Sequence, residues 1–223
     1  MKKDEITNRE ILSRCDHTLL KPSATAEQIR EAVKEAAELG CASVCIPPSY
    51  VKAAVSSSEE KVKICTVIGF PTGYQTTEAK VFEAKCAVLD GADEIDMVAN
   101  IGWIKDGEYA KVLDEINAVK VSVGEKTLKV IIETSELTRE EKIKMAEIVS
   151  KSAADYIKTS TGFSSSGATP ADIALLSEYM TGGKGIKASG GISSLEDARE
   201  LISLGATRLG TSKIVKLIKE KGE

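Results

Sequence analysis

The sequence predicts a (β/α)8 barrel, a TIM barrel with an extra N-terminal helix. Three observations predict it: eight short runs rich in Val and Ile, helical patterns between them, and the lack of a dinucleotide-binding glycine fingerprint. The runs fall at 15–18, 43–47, 63–69, 94–99, 128–133, 156–159, 185–188 and 207–210. Most alternate only in part, as parallel strands do when helices cover their outer face. The alternative, an open doubly wound sheet, is weaker because no G-x-G-x-x-G follows the first run. Residues 1–223 read as one domain, a length that parallel barrels often reach undivided.

The segments between the runs carry their own start and stop signals. Thr25 and Gln28 make a capping-box pair, after which Ile29, Val33, Ala36 and Ala37 line one helical face and Gly40 ends it. Ala79, Phe82, Cys86 and Leu89 repeat that pattern before Gly91, and are expected to face the core. Thr138 with Glu141 opens another helix, and Thr169 followed by Pro170 is an N-cap and N1 pair. Ser193 with Glu196 is expected to start the helix that ends near Gly205. Residues 5–13 supply the extra N-terminal helix.

Composition narrows the function. Of 223 residues, 42% are hydrophobic, enough for a sizeable core. The net charge of −4 leaves no basic field to track a nucleic-acid backbone, so no nucleic-acid partner is expected. Apolar runs such as Val130-Ile131-Ile132 are too short to span a membrane. No apolar segment follows Met1, which sets the expectation of a cytoplasmic protein. Five cysteines, odd in number and spread through apolar stretches, suit reduced thiols. His17 is the only histidine, so neither a typical zinc set nor a Ser-His-Asp triad has much to work with, and no metal is expected.

In a barrel the reacting groups come from the C-terminal ends of the strands. There the sequence offers Asp16, His17, Cys45, residues 69–73, Asp96, Glu133, Lys158, Lys187 and residues 210–212. Either lysine alone reads as a solvated strand end. Two of them on adjacent strands would face one cavity. At about 4 Å and an effective dielectric of about 20 their repulsion is on the order of 4 kcal/mol, enough to favour a neutral amine, which a Schiff-base nucleophile requires. Asp96 is expected to face the same way as Glu94 and Val98, as a charge partner of the lysines, a proton relay, or both. Cys45 reads as a small buried hydrophobe. The glycine-rich corners at 190–191 and 210–212, with Thr161-Gly162, offer backbone N–H groups to a phosphate.

The motifs Tyr156-Ile157-Lys158-Thr159-Ser160-Thr161-Gly162, Ile186-Lys187-Ala188-Ser189-Gly190-Gly191-Ile192, Asp93-Glu94-Ile95-Asp96-Met97-Val98, Gly69-Phe70-Pro71-Thr72-Gly73 and Asp16-His17-Thr18-Leu19-Leu20-Lys21 resemble the deoxyribose-phosphate aldolases, in order and over nearly the whole chain. The resemblance implies a class I aldolase, free of metal and cofactor, that reversibly cleaves 2-deoxy-D-ribose 5-phosphate to acetaldehyde and D-glyceraldehyde 3-phosphate. It implies Lys158 as the Schiff-base lysine, Lys187 as the lysine that tunes it, and Asp96 as the proton donor and acceptor. It also implies Gly162, Gly190, Gly191, Gly210 and Ser212 at the phosphate, and Asp16, Thr18 and Thr161 at substrate hydroxyls or in the network that orders them. Phe163 stands where longer members have a lysine, and the sequence ends Lys221-Gly222-Glu223 where they carry a tyrosine-bearing tail. Another barrel enzyme acting on sugar phosphates, such as an isomerase or epimerase with Asp96 as its base, and a non-catalytic sugar-phosphate binder are the alternatives. A homodimer is the default assembly from prevalence.

Overall fold

A computed structural model describes residues 3–59 and 61–221. The chain runs α1 (Asn8–Leu12), β1 (Cys15–Thr18), α2 (Ala26–Glu38), β2 (Ser43–Ile46), α3 (Val51–Ser58), β3 (Lys63–Ile68), α4 (Thr77–Leu89), β4 (Glu94–Val98) and α5 (Ile101–Lys105). It continues with α6 (Tyr109–Val123), β5 (Thr127–Ile131), α7 (Arg139–Lys151), β6 (Tyr156–Lys158), α8 (Pro170–Tyr179), β7 (Gly185–Ser189), α9 (Leu195–Ser203), β8 (Arg208–Thr211) and α10 (Lys213–Lys221). The eight strands pair in parallel and in sequence order, and β8 closes on β1. The (β/α)8 barrel is therefore observed as expected. Among the described residues no helix is long and apolar enough to cross a membrane.

Strand parity divides the molecule. Val44, Ile46, Ile64, Ile95, Met97, Leu128, Val130, Ile157, Ile186 and Leu209 turn outward and join the main hydrophobic core under the helices. Their neighbours Asp16, Glu94, Asp96, Lys129, Lys158 and Lys187 are just as buried, but share a set of ion pairs inside the barrel. Cys45, Cys65 and Val67 form a separate small cluster on that inner side, with Leu20 and Phe70 packed against it.

Local signals place the helices, with three corrections. Thr25 caps α2 and Thr138 caps α7, each in a full capping box, and Thr169 caps α8 with Pro170 in the first turn. The N-terminal helix is shorter than 5–13: Thr7 and Glu10 make a capping box that fixes its start at Asn8. α9 starts one residue later than expected, because Asp197 rather than Glu196 reaches back to the backbone N–H of Ser194, and Ser194 is the cap. In α4 the expected face is the wrong one. Phe82, Cys86 and Leu89 are exposed, and Lys80, Ala84 and Ala87 are buried.

The reason is Lys80. Its fully buried ammonium donates to the carbonyls of Gly73 (2.7 Å) and Val98 (2.9 Å) and pairs with Glu115 of α6 at 2.9 Å. It ties the loop after β3 to the end of β4. The loop's glycines fit around it: a Cβ on Gly69 would lie 2.8 Å from Lys80 Cε, and one on Gly73 would lie 2.2 Å from the carbonyl oxygen of Ala99. Both also sit at positive φ. Burial pushes Lys80 below and Glu115 above their ordinary pKa values, so the pair persists only because each partner is there. Lys80→Met should strand Glu115 and two carbonyls and cost about 3–5 kcal/mol in urea unfolding. A loss below about 1 kcal/mol would assign Lys80 no anchoring role.

Candidate active site

Four cations and three carboxylates meet inside the barrel. Asp96, on β4, accepts from Lys158 (2.8 Å) and Lys187 (2.7 Å) through the same oxygen, Oδ2, and from Lys129 (2.8 Å) through Oδ1. Lys187 also donates to Asp16 of β1. Arg208 reaches Asp16 at 2.6 Å and Glu94 at 3.1 Å, and Lys129 reaches Glu94 at 2.6 Å. The strand register explains this convergence. Lys158 faces Lys187 across β6 and β7, Asp96 faces Lys129 across β4 and β5, and Lys187 faces Arg208 across β7 and β8.

Burial disfavours every charge here, and the partners decide the outcome. For Asp96 the desolvation cost is overcome by Lys129, Lys158 and Lys187, which hold it well below the usual carboxylate range. Lys187, Lys129 and Arg208 do the same for Asp16. For Lys187 burial is outweighed by Asp16 and Asp96, so its ammonium is held more firmly than usual. The expectation that the two strand-end lysines depress one another therefore does not hold for Lys187. The two carboxylates contribute stability that is fully present above an unfolded pKa of about 4 and lost as pH falls through their lower folded values. Lys187 contributes stability present below an unfolded pKa of about 10.4 and lost as pH rises through its higher folded value.

Charge balance singles out one amine. Asp16, Glu94 and Asp96 are matched in number by Lys129, Lys187 and Arg208. Lys158 has Asp96 as its one carboxylate partner among the described residues, whereas each of the other three cations reaches two or three carboxylates. It is also the one at the strand end, leading into a loop over 159–169.

The remaining expected residues separate into groups. Thr18 donates to the carbonyl of Asp16 at 2.8 Å, locking its strand end. Thr161 hydrogen-bonds Glu133 through both its N–H and its hydroxyl. Gly162 and Gly190 lie together, and a Cβ on Gly190 would be 3.6 Å from the Cα of Gly162. Both these glycines and Gly191 adopt positive φ. Ser212 stands immediately before α10. Gly210 lies within β8 in register with Ser189, the residue before the Gly190-Gly191 corner, where a Cβ would lie 2.9 Å from Ser189 Cβ and 3.1 Å from Lys187 Cε, so it also makes room for that lysine. His17 faces outward, with Nε2 at 3.0 Å from Glu35 of α2. Cys45 is buried, as expected.

Glu94 and Arg208 start their strands, and Lys129 is the second residue of the run expected at 128–133, so none of the three marks a C-terminal strand end in the sequence. The available signal was the one used for Lys158, a lysine inside an otherwise apolar strand. Cys45, Cys65 and Asp96 offer ligand atoms within 4.8 Å of one another, as do Asp16, Cys65 and Glu94. In both sets Lys129 already engages the carboxylates, and it lies 3.4 Å from Cys65 Sγ. Asp96→Asn should leave three buried ammoniums without their shared anion and cost about 3–5 kcal/mol in urea unfolding. Unchanged stability would mean that Asp96 does not hold the cluster together.

Comparison with known proteins gives similarity over nearly the whole chain. The deoxyribose-phosphate aldolase of Clostridioides difficile is 53% identical over 213 residues, covering 96% of this chain and 97% of that protein. The enzyme of the same name from Streptococcus agalactiae is 51% identical and covers 96% of each. The deoxyribose phosphate aldolase of Aeropyrum pernix, described as a unique tetramer, superposes with a TM-score of 0.88 at 32% identity, covering 97% of this chain and 93% of that one. The DeoC/LacD family aldolase profile matches residues 11–211, and the chain belongs to that family.

Proposed function

We infer that the chain is a deoxyribose-phosphate aldolase working through a Schiff base on Lys158, with the whole chain acting as one barrel domain. The observation that carries this is Lys158 and Lys187 meeting on one oxygen of Asp96. Neutral Lys158 adds through Nζ to the carbonyl of acetaldehyde, and loss of water gives an iminium. Asp96, through Lys187 and a water, removes a methyl proton to leave an enamine. The enamine carbon attacks the aldehyde of D-glyceraldehyde 3-phosphate, and hydrolysis frees Lys158. The cleavage direction reverses these steps. Forming the imine divides one difficult carbanion step into easier stages.

The phosphate end is held by the corners at Gly162, Gly190 and Gly191 and by the start of α10 beside Ser212. Positive φ at the three glycines and a nine-residue helix at 213–221 support that reading. Gly210 contributes by leaving space for Lys187, and Asp16 and Thr18 by ordering the β1 strand end. No metal or other cofactor takes part in these steps. We read the assembly as a cytoplasmic homodimer; Phe82 and Leu89, exposed on the outer face of α4, are suited to a subunit contact.

Borohydride reduction in the presence of acetaldehyde should add an ethyl group to Lys158 and to no other lysine, as read by peptide mass spectrometry. An adduct mainly on Lys187 would overturn the assignment to Lys158, and no adduct would leave an isomerase-like or purely binding role.

A further inference from the structure

Residues 159–169 form a long irregular loop after β6, rich in glycine and serine over 162–167. Such a loop holds one shape only if something outside it supplies anchors. The segment after β5 supplies them. Glu133 Oε2 accepts from Thr161 twice, from its N–H at 3.2 Å and from its hydroxyl at 2.5 Å. The same Thr161 hydroxyl oxygen then accepts from the N–H of Phe163 at 3.0 Å. Further along, Ser164 donates to Glu136 at 2.5 Å and meets Ser135 at 3.1 Å. On the other side, the N–H of Ala168 is shared by the carbonyls of Ser189 and Gly190.

Glu133 is unusual in three respects. It is a non-glycine residue in the left-handed region, with φ at 51°. It is 5% exposed, and its second oxygen, Oε1, is buried with no protein partner. Burial also pushes its carboxyl above the usual range. A strained, buried carboxyl persists only where the surrounding structure fixes it, and such residues gather at functional sites. Here the fixed feature is the Thr161-Gly162 corner, three and four residues after Lys158.

We propose that Glu133 is the positioning residue that makes this aldolase select phosphorylated substrates, by holding the Thr161-Gly162 corner where its backbone can meet the phosphate. It acts through Thr161 and not on the reacting carbon. The proposal rests on the aldolase reading given above and adds to it the residue that sets the corner.

The test compares acetaldehyde release from 2-deoxyribose 5-phosphate and from 2-deoxyribose. Glu133→Ala should lower the ratio of the two kcat/KM values by about tenfold, chiefly through KM for the phosphorylated sugar, the loss expected for one charge-assisted hydrogen bond. Thr161→Val should lower the ratio similarly, and the double variant should be no worse than the poorer single one. Glu133→Gln keeps an accepting oxygen and should restore most of the ratio. If Glu133→Ala does not fold, Thr161→Val and Glu133→Gln carry the test. Equal losses on both sugars, multiplicative losses in the double variant, or a Gln variant as impaired as the Ala variant would overturn the proposal. Borohydride trapping of the parent enzyme keeps the outcomes apart, since its failure would remove the aldolase reading itself.

Discussion

One carboxylate oxygen shared by two lysines is the contact on which this barrel depends. Parallel barrels commonly fill their interior with layers of branched apolar side chains. Here the inner positions of β4 to β8 and of β1 carry charges instead. Removing each ion from water costs several kcal/mol, so the arrangement stands only as a set. Asp96 connects that set: without it, Lys158, Lys187 and Lys129 have no common anion. With it, three carboxylates face four cations, and Lys158 is the one with a single carboxylate partner among the described residues.

The rest of the structure keeps that set buried and in register. Strand parity sends most of the strand Val, Ile and Leu side chains outward beneath the helices, so the main apolar core surrounds the charges. The loops then divide the chemistry. Lys80 fixes the loop after β3, which brings Phe70 over the thiols of Cys45 and Cys65. The loop after β6 leads from Lys158 to the glycine corner, and Phe163 on it meets Phe70 edge to face at 5.3 Å. That loop therefore starts at the reacting amine, touches the loop after β3 through the Phe163–Phe70 contact, and carries the glycine corner at Gly162.

The barrel was legible because its signals are local: eight β-branched runs come in order, with capping pairs or glycine stops marking several of the helices between them. The same locality explains the errors. The face of α4 is not legible because Phe82 and Leu89 look like core residues, whereas the position of Glu115 on α6 makes Lys80 the buried one. Asp16, Asp96, Lys158 and Lys187 were legible because charged residues inside strands are costly without a partner. Glu94 and Arg208 follow the same rule but start their strands, and Lys129, level with Asp96, meets it only once β4 and β5 are paired. The protonation of Lys187 also could not be read from two lysines alone, since its sign depends on Asp16 across the β8–β1 closure.

The pH profile of kcat/KM for Lys187→Met tests the central claim most directly. If Lys187 uses up the negative charge of Asp96, its removal leaves that charge to the ammonium form of Lys158. The acid limb should then move to higher pH, by about one unit for each 1.4 kcal/mol of charge interaction transferred, and activity should partly return in alkali. An acid limb that stays in place while kcat falls evenly at all pH values would contradict the account, leaving Lys187 as a proton carrier or substrate contact instead.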